Sequence, residues 1–136
     1  MTEYWLAAAI GAGIGGLMLA LFARASAKDI ADAGFLALAA MLSVYLGARL
    51  VTGDIAAILI ETAIAMTLTV AARAAMTRWL PSIGIFIVIH GGYDAIFGPH
   101  TGVAEWYPPL CAGFDFLVGI SLIIILHKKI SASPSA

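Results

Sequence analysis

The sequence predicts an all-α, polytopic membrane helix bundle of five transmembrane helices, with the N-terminus outside and the C-terminus in the cytoplasm. Three observations predict it. The 136 residues are 62% hydrophobic and 11% charged, with a mean hydropathy of +1.03, more apolar surface than a soluble domain of this size can hide. The apolar residues fall into five runs, each able to cross about 30 Å of hydrocarbon. Lys and Arg gather on alternate connections, as the positive-inside rule requires of short loops.

The first run is Tyr4 to Phe22. The residues before it, MTE, lack the positive region of a secretory signal, and the run exceeds a usual signal core, so it is expected to stay as a span. Its GAGIGG segment sets Gly11 and Gly15 on one face. Such a small-xxx-small surface admits another helix closely, either within the bundle or from a second copy in a homo-oligomer. The second and third runs are Gly34 to Val51 and Ile55 to Met76. The fourth, Pro81 to Phe97, carries Gly91 and Gly92 at its centre. That pair lowers helix propensity and raises the alternative of a broken or re-entrant segment. A re-entrant segment would bring Lys128 and Lys129 to the wrong side, so five spans are preferred. The fifth run is Pro109 to His127. Residues 1–129 therefore read as a single transmembrane domain, and 130–136, rich in Ser, Pro and Ala, as a disordered tail.

Orientation follows from the cations. Arg24 and Lys28 follow span one, Arg73 and Arg78 close span three, and Lys128 and Lys129 follow span five. The other side carries Glu3, Asp54, His100 and Glu105, with Arg49 the exception. Tyr4, Trp5, Trp106 and Tyr107 then form an outer aromatic belt and Trp79 an inner one. The expected setting is multi-pass in a bacterial inner (plasma) membrane, with lipid as the surrounding partner. A net charge of −1 offers no basic face for nucleic acid. The single cysteine, Cys111, allows no internal disulfide and no zinc-finger spacing.

Counting inward at 1.5 Å per residue places several polar side chains in one layer, roughly 5 to 10 Å below the outer surface. Tyr45 and Arg49 lie in span two, Glu61 in span three, Asp94 in span four, and Cys111 and Asp115 in span five, with His90 one turn deeper. An ionisable group at a helix centre costs about 2.5 to 3.5 kcal/mol on insertion scales, so these are expected to face inward and satisfy one another in a polar cavity open to the outside. Tyr45 with Arg49, His90 with Asp94, and Cys111 with Asp115 are each spaced i, i+4, which puts each pair on one helix face. Arg49 and Tyr45 are also what a purely structural ion pair and a buried hydrogen-bonded tyrosine would look like. His90 beside Asp94 points to function, because a carboxylate can fix the imidazole tautomer and raise its basicity.

The stretch Ile83 to Gly119, with IGIFIVIHGGYD and then EWYPPLCAGFDFLVG, resembles the signature of a family of small uncharacterised bacterial membrane proteins, a domain of unknown function. In that family a His-Gly-x-aromatic-Asp helix precedes a Pro-x-Cys-x-x-x-Asp helix. The resemblance implies that His90, Asp94, Cys111 and Asp115 are marked positions and that the family's intramembrane Glu corresponds to Glu61. It implies no activity.

Two functional classes follow. One is a site that binds or transports a proton, cation or small molecule, with Glu61, Asp94 and Asp115 carrying exchangeable charge and His90 relaying protons, aided by Tyr45 and Arg49. The other is a membrane-embedded enzyme acting on a lipid-like substrate, by His-carboxylate acid-base chemistry or through a divalent metal. His90, Asp94, Asp115, Glu61 and Cys111 are the candidate ligands for such a metal. No GxSxG, HExxH, phosphate-loop or dinucleotide-binding motif occurs. The expectation is the binding or transport class.

Overall fold

In a computed structural model the protein is described over residues 2–132. Among them the chain forms five α-helices: α1 (Thr2–Leu21), α2 (Ala27–Thr52), α3 (Ile55–Met76), α4 (Ser82–Ile96) and α5 (Tyr107–Ser131), with a 3-10 turn at Gly98–His100 between the last two. α1, α2, α3 and α5 are long and apolar enough to cross a membrane. Large apolar side chains such as Leu17, Leu36, Leu59, Met66, Val70 and Ile124 face outward, a surface suited to lipid and not to water. The chain is a helical bundle with the build of a membrane protein.

The fourth helix agrees with the preferred reading in one way and departs from it in another. It is continuous through Gly91 and Gly92, with no break. At 15 residues it is shorter than the run that predicted it, about 22 Å at 1.5 Å per residue, against about 30 Å of hydrocarbon. Pro81, which lacks an N–H to donate, sits just before its first turn, and the 3-10 turn ends it.

α2 begins seven residues before the apolar run, inside what reads in the sequence as a connection. The reason is local: Ser26 accepts from the Asp29 amide at 3.1 Å and donates to the Asp29 carboxylate at 2.7 Å, a serine N-cap that starts the helix in its polar part. Lys28 and Asp32 add an ion pair one turn apart. α2 ends at Gly53, whose φ of 70° is the left-handed cap that favours glycine. α5 continues through Ser131, two residues into the segment read as tail; residues 133–136 lie outside the described residues.

α5 is the central helix. α1 lies along one side of it and α4 along the other, with α2 and α3 paired and packed against α4. Small residues make both approaches possible. A Cβ on Gly11 would run into the Leu110 carbonyl, and one on Gly113 into the Ala8 carbonyl; Gly84 and Gly119 face each other's carbonyls across α4 and α5. Such close backbone contact substitutes for a hydrophobic driving force, which is weak between helices in lipid. The Gly11/Gly15 face is therefore occupied by α5 of the same chain, so an oligomer would need another surface.

The two ends of the bundle are chemically distinct. At one, Lys129 donates to the Ala25 carbonyl at 3.0 Å, joining the end of α5 to the turn after α1. At the other, Arg49 Nη2 donates to the His100 carbonyl at 3.0 Å, joining the end of α2 to the turn after α4. Successive helices alternate in direction, which leaves Thr2 and Ser131 at opposite ends. Leu38, Ile83, Ile87, Leu122 and Leu126 fill the core toward the Lys129 end, and the polar side chains collect toward the Arg49 end.

Candidate cation site and adjoining groove

α4 presents His90 and Asp94 on the face that meets α5, where Asp115 lies opposite them. All three are fully buried. His90 Nδ1 is 2.7 Å from Asp115 Oδ2 and 3.4 Å from Asp94 Oδ2. The stronger partner of the histidine is thus Asp115 on the neighbouring helix, and not Asp94 one turn along the same helix, as the i, i+4 spacing suggests. Gly91 explains this. A Cβ there would come within 2.8 Å of the Asp115 Cβ, so the absent side chain lets α5 bring its carboxylate onto the imidazole. Gly92 faces open space.

α2 completes the cluster. Tyr45, with 1% of its surface exposed, donates its hydroxyl to Asp94 Oδ1. Its ring lies 6.0 Å from the imidazole of His90, and the Tyr93 ring lies 6.4 Å from it, so the three rings form one aromatic group. Among the described residues His90 Nε2, Asp94 Oδ2 and Asp115 Oδ1 are buried without a hydrogen-bond partner. Buried polar atoms are ordinarily paired. Three such atoms fall in this one cluster, while Arg49 Nε and Ser82 Oγ are unpaired outside it. One ligand atom from each of His90, Asp94 and Asp115 lies within 4.8 Å of the others.

Glu61 and Arg49 share the layer without joining the cluster. Both Glu61 carboxylate oxygens accept from the Tyr93 hydroxyl, at 2.8 and 2.9 Å, and Arg49 Nε lies 3.5 Å from Oε1. Glu61 is also outside the set of mutually close ligand atoms among the described residues. The single cavity expected at this depth is in fact two neighbourhoods, because Glu61 points along the face of α3 that meets Tyr93, while Asp94 turns toward α5. Cys111 is buried one turn before Asp115 and is likewise outside the ligand set. Of the four positions that the family resemblance singles out, three meet and Cys111 does not.

The open space lies on the Glu61 side. A groove of about 710 Å³ runs between α3 and α4, lined by Ile60, Ile64, Leu68, Ile89 and Phe97, with Arg49, Glu61, Tyr93 and His100 at its polar end. The cluster around His90 has no exposed surface and does not open to the outside as expected. Tyr93 is the residue that sequence reasoning missed. It carries the hydroxyl that satisfies Glu61 and the ring that separates groove from cluster, edge-on to Tyr45 at 5.6 Å. The aromatic position in His-Gly-Gly-Tyr-Asp was its signal.

Comparison of the chain with protein-family models, curated proteins and solved structures gives no match.

Proposed function

We propose that this chain is a five-span protein of the bacterial inner membrane, N-terminus outside, whose outer-half core binds a cation, proton or metal, as a binding or transport protein. The observation that carries this reading is the fully buried set of His90, Asp94 and Asp115 with atoms left unpaired. Ionisable groups inside a membrane bundle are rare and mark ion and proton paths. Two carboxylates beside one imidazole form a cation-seeking environment, and Tyr45 holds one carboxylate in place. The orientation is supported by Arg24, Lys28, Lys128 and Lys129, which sit at the end of the bundle that contains the turn after α1.

The test is infrared difference spectroscopy of the carboxyl stretch on the full chain in lipid, in pH steps between about 5 and 9 and after adding metal. A carboxyl band that responds, and is lost in Asp94→Asn, Asp115→Asn and His90→Phe, is expected. Carboxyl bands indifferent to both protons and metal would sink the reading. Topology is tested separately with Thr2→Cys and Ser135→Cys in a Cys111→Ala background. Labelling of the two from the same side removes the five-span arrangement.

A second reading, an enzyme acting on a lipid-like substrate, is favoured by the groove alone. Its apolar walls and polar end suit an acyl chain and a headgroup, and its volume falls in the range of small-molecule sites, about 300 to 1,000 Å³. Tyr93 stands between that groove and His90. Lipid copurified with the protein and crosslinked through a photoactivatable residue at Ile64 supports this reading; crosslinks spread evenly around the bundle would remove it.

A further inference from the structure

We propose that His90, Asp94 and Asp115 bind a divalent first-row transition metal ion, with Tyr45 as a positioning residue. This rests on the cation reading above and narrows it to one ion class. The geometry comes first. Metal–nitrogen and metal–oxygen bonds of about 2.0 to 2.2 Å set neighbouring donor atoms roughly 3.0 to 3.5 Å apart. His90 Nδ1 stands 2.7 Å from Asp115 Oδ2 and 3.4 Å from Asp94 Oδ2, so a few tenths of an ångström of side-chain movement admits an ion between the three.

The hydrogen-bond inventory points the same way. The four carboxylate oxygens of Asp94 and Asp115 accept one bond from Tyr45 and one from the imidazole, and Asp94 Oδ2 and Asp115 Oδ1 are left without a partner among the described residues. A carboxylate offers about four lone-pair sites. A metal ion seated between His90 Nδ1, Asp115 Oδ2 and Asp94 Oδ2 takes one donor from each of the three residues at once and gives Asp94 Oδ2 the partner it lacks.

Ligand type then selects the ion. An imidazole nitrogen disfavours magnesium and calcium, which prefer all-oxygen sets, and the absence of a thiolate from the set disfavours cuprous ion. One nitrogen and two carboxylate oxygens suit manganese, ferrous iron or zinc. Three protein ligands also leave coordination positions open for water or another ligand, as sites that act on something do. The support around the ligands has the expected form. Tyr45, from a third helix, fixes Asp94 through its other oxygen, and the Tyr45 and Tyr93 rings hold the imidazole in orientation.

The experiment uses the full chain purified in mild detergent, stripped with a chelator and titrated with Mn²⁺ alone, binding being read by electron paramagnetic resonance. One Mn²⁺ per chain is expected, with nitrogen coupling from one imidazole in the pulsed spectrum. Glu61→Gln should bind as the wild type does, and Tyr45→Phe should bind about 10- to 100-fold more weakly, while Asp94→Asn and Asp115→Asn lose the site. Bound Mn²⁺ without nitrogen coupling overturns the assignment, a result that does not depend on any variant folding. So does equal weakening in Glu61→Gln and Tyr45→Phe. If wild type binds no Mn²⁺, Co²⁺ or Zn²⁺ while its carboxyl band still answers to pH, the metal inference fails and the proton form of the cation reading stands. If the band is silent as well, both fail.

Discussion

Two carboxylate neighbourhoods share one end of this bundle, meeting at the adjacent residues Tyr93 and Asp94, and they are opposites. Glu61 is 5% exposed and Asp94 is 0% exposed, so burial barely separates them. Partners do. Glu61 shares the Tyr93 hydroxyl between its two oxygens and has the Arg49 guanidinium beside it; its charge is matched by a cation, and it borders an open groove. Asp94 and Asp115 share one imidazole and one phenol, keep unpaired oxygens, and are sealed from every side. A balanced pair can hold helices together at modest net gain. An unbalanced, sealed cluster is harder to explain without a further cation, and chemistry is assigned to it for that reason.

The comparison breaks most visibly in the paired removals Asp115→Ala and Glu61→Ala. Taking Asp115 away strips His90 of its 2.7 Å partner in a fully buried place, a loss of about 3 to 5 kcal/mol where one member of a buried ion pair is left alone. Removing Glu61 leaves Tyr93 and Arg49 on the rim of a groove, with Arg49 still bonded to the His100 carbonyl, and about 1 to 2 kcal/mol is expected. Denaturation in mixed micelles measures both. Equal losses would mean that the two neighbourhoods are one.

The next contrast is between adjacent glycines. Gly91→Ala places a methyl 2.8 Å from the Asp115 Cβ, forcing α4 and α5 apart at about 1 to 3 kcal/mol, and should also abolish Mn²⁺ binding. Gly92→Ala meets nothing within 4 Å and should gain up to about 1 kcal/mol of helix propensity, with binding unchanged. Similar behaviour of the two variants would disconnect the cluster from the α4–α5 approach.

These glycines also show how far the sequence could be read. Composition and the five apolar runs predicted helices in the right order, because lipid-length apolar segments have few alternatives. Residue depth, at 1.5 Å per residue, brought Tyr45, Asp94 and Asp115 to one level with His90 one turn deeper, and they do meet. Depth says nothing of azimuth between helices, so Glu61 was grouped with them although it faces Tyr93. Gly91 and Gly92 looked alike as helix weakeners; only the packed partner distinguishes the one that α5 needs from the one that faces open space. Gly11 and Gly15 marked a helix contact correctly in kind, but a small-residue face does not name which helix fills it. The serine N-cap at Ser26 lies in a segment read as loop, since hydropathy ends where the apolar band ends and the helix does not.

The smallest expected effect falls on the groove, and it separates the two functional readings. Ile64 lines the groove on α3, one turn from Glu61, and has no part in the cluster. Ile64→Trp would fill open space and not displace packed atoms, so stability should move by no more than about 0.5 kcal/mol. The cluster lies behind Tyr93, on the far side of α4, so Mn²⁺ affinity should hold within twofold of the wild type. If the groove receives an acyl chain, lipid retained through purification should fall in this variant while the metal signal stays, since the two neighbourhoods share a helix but no ligand atom. If filling the groove instead weakens Mn²⁺ binding tenfold or more, about 1.4 kcal/mol, then groove and cluster are coupled through Tyr93 and Tyr45, whose rings meet edge to face at 5.6 Å. That outcome would turn the contrast between a balanced and an unbalanced carboxylate site into a single device, with substrate on one side of the aromatic pair and the ion on the other.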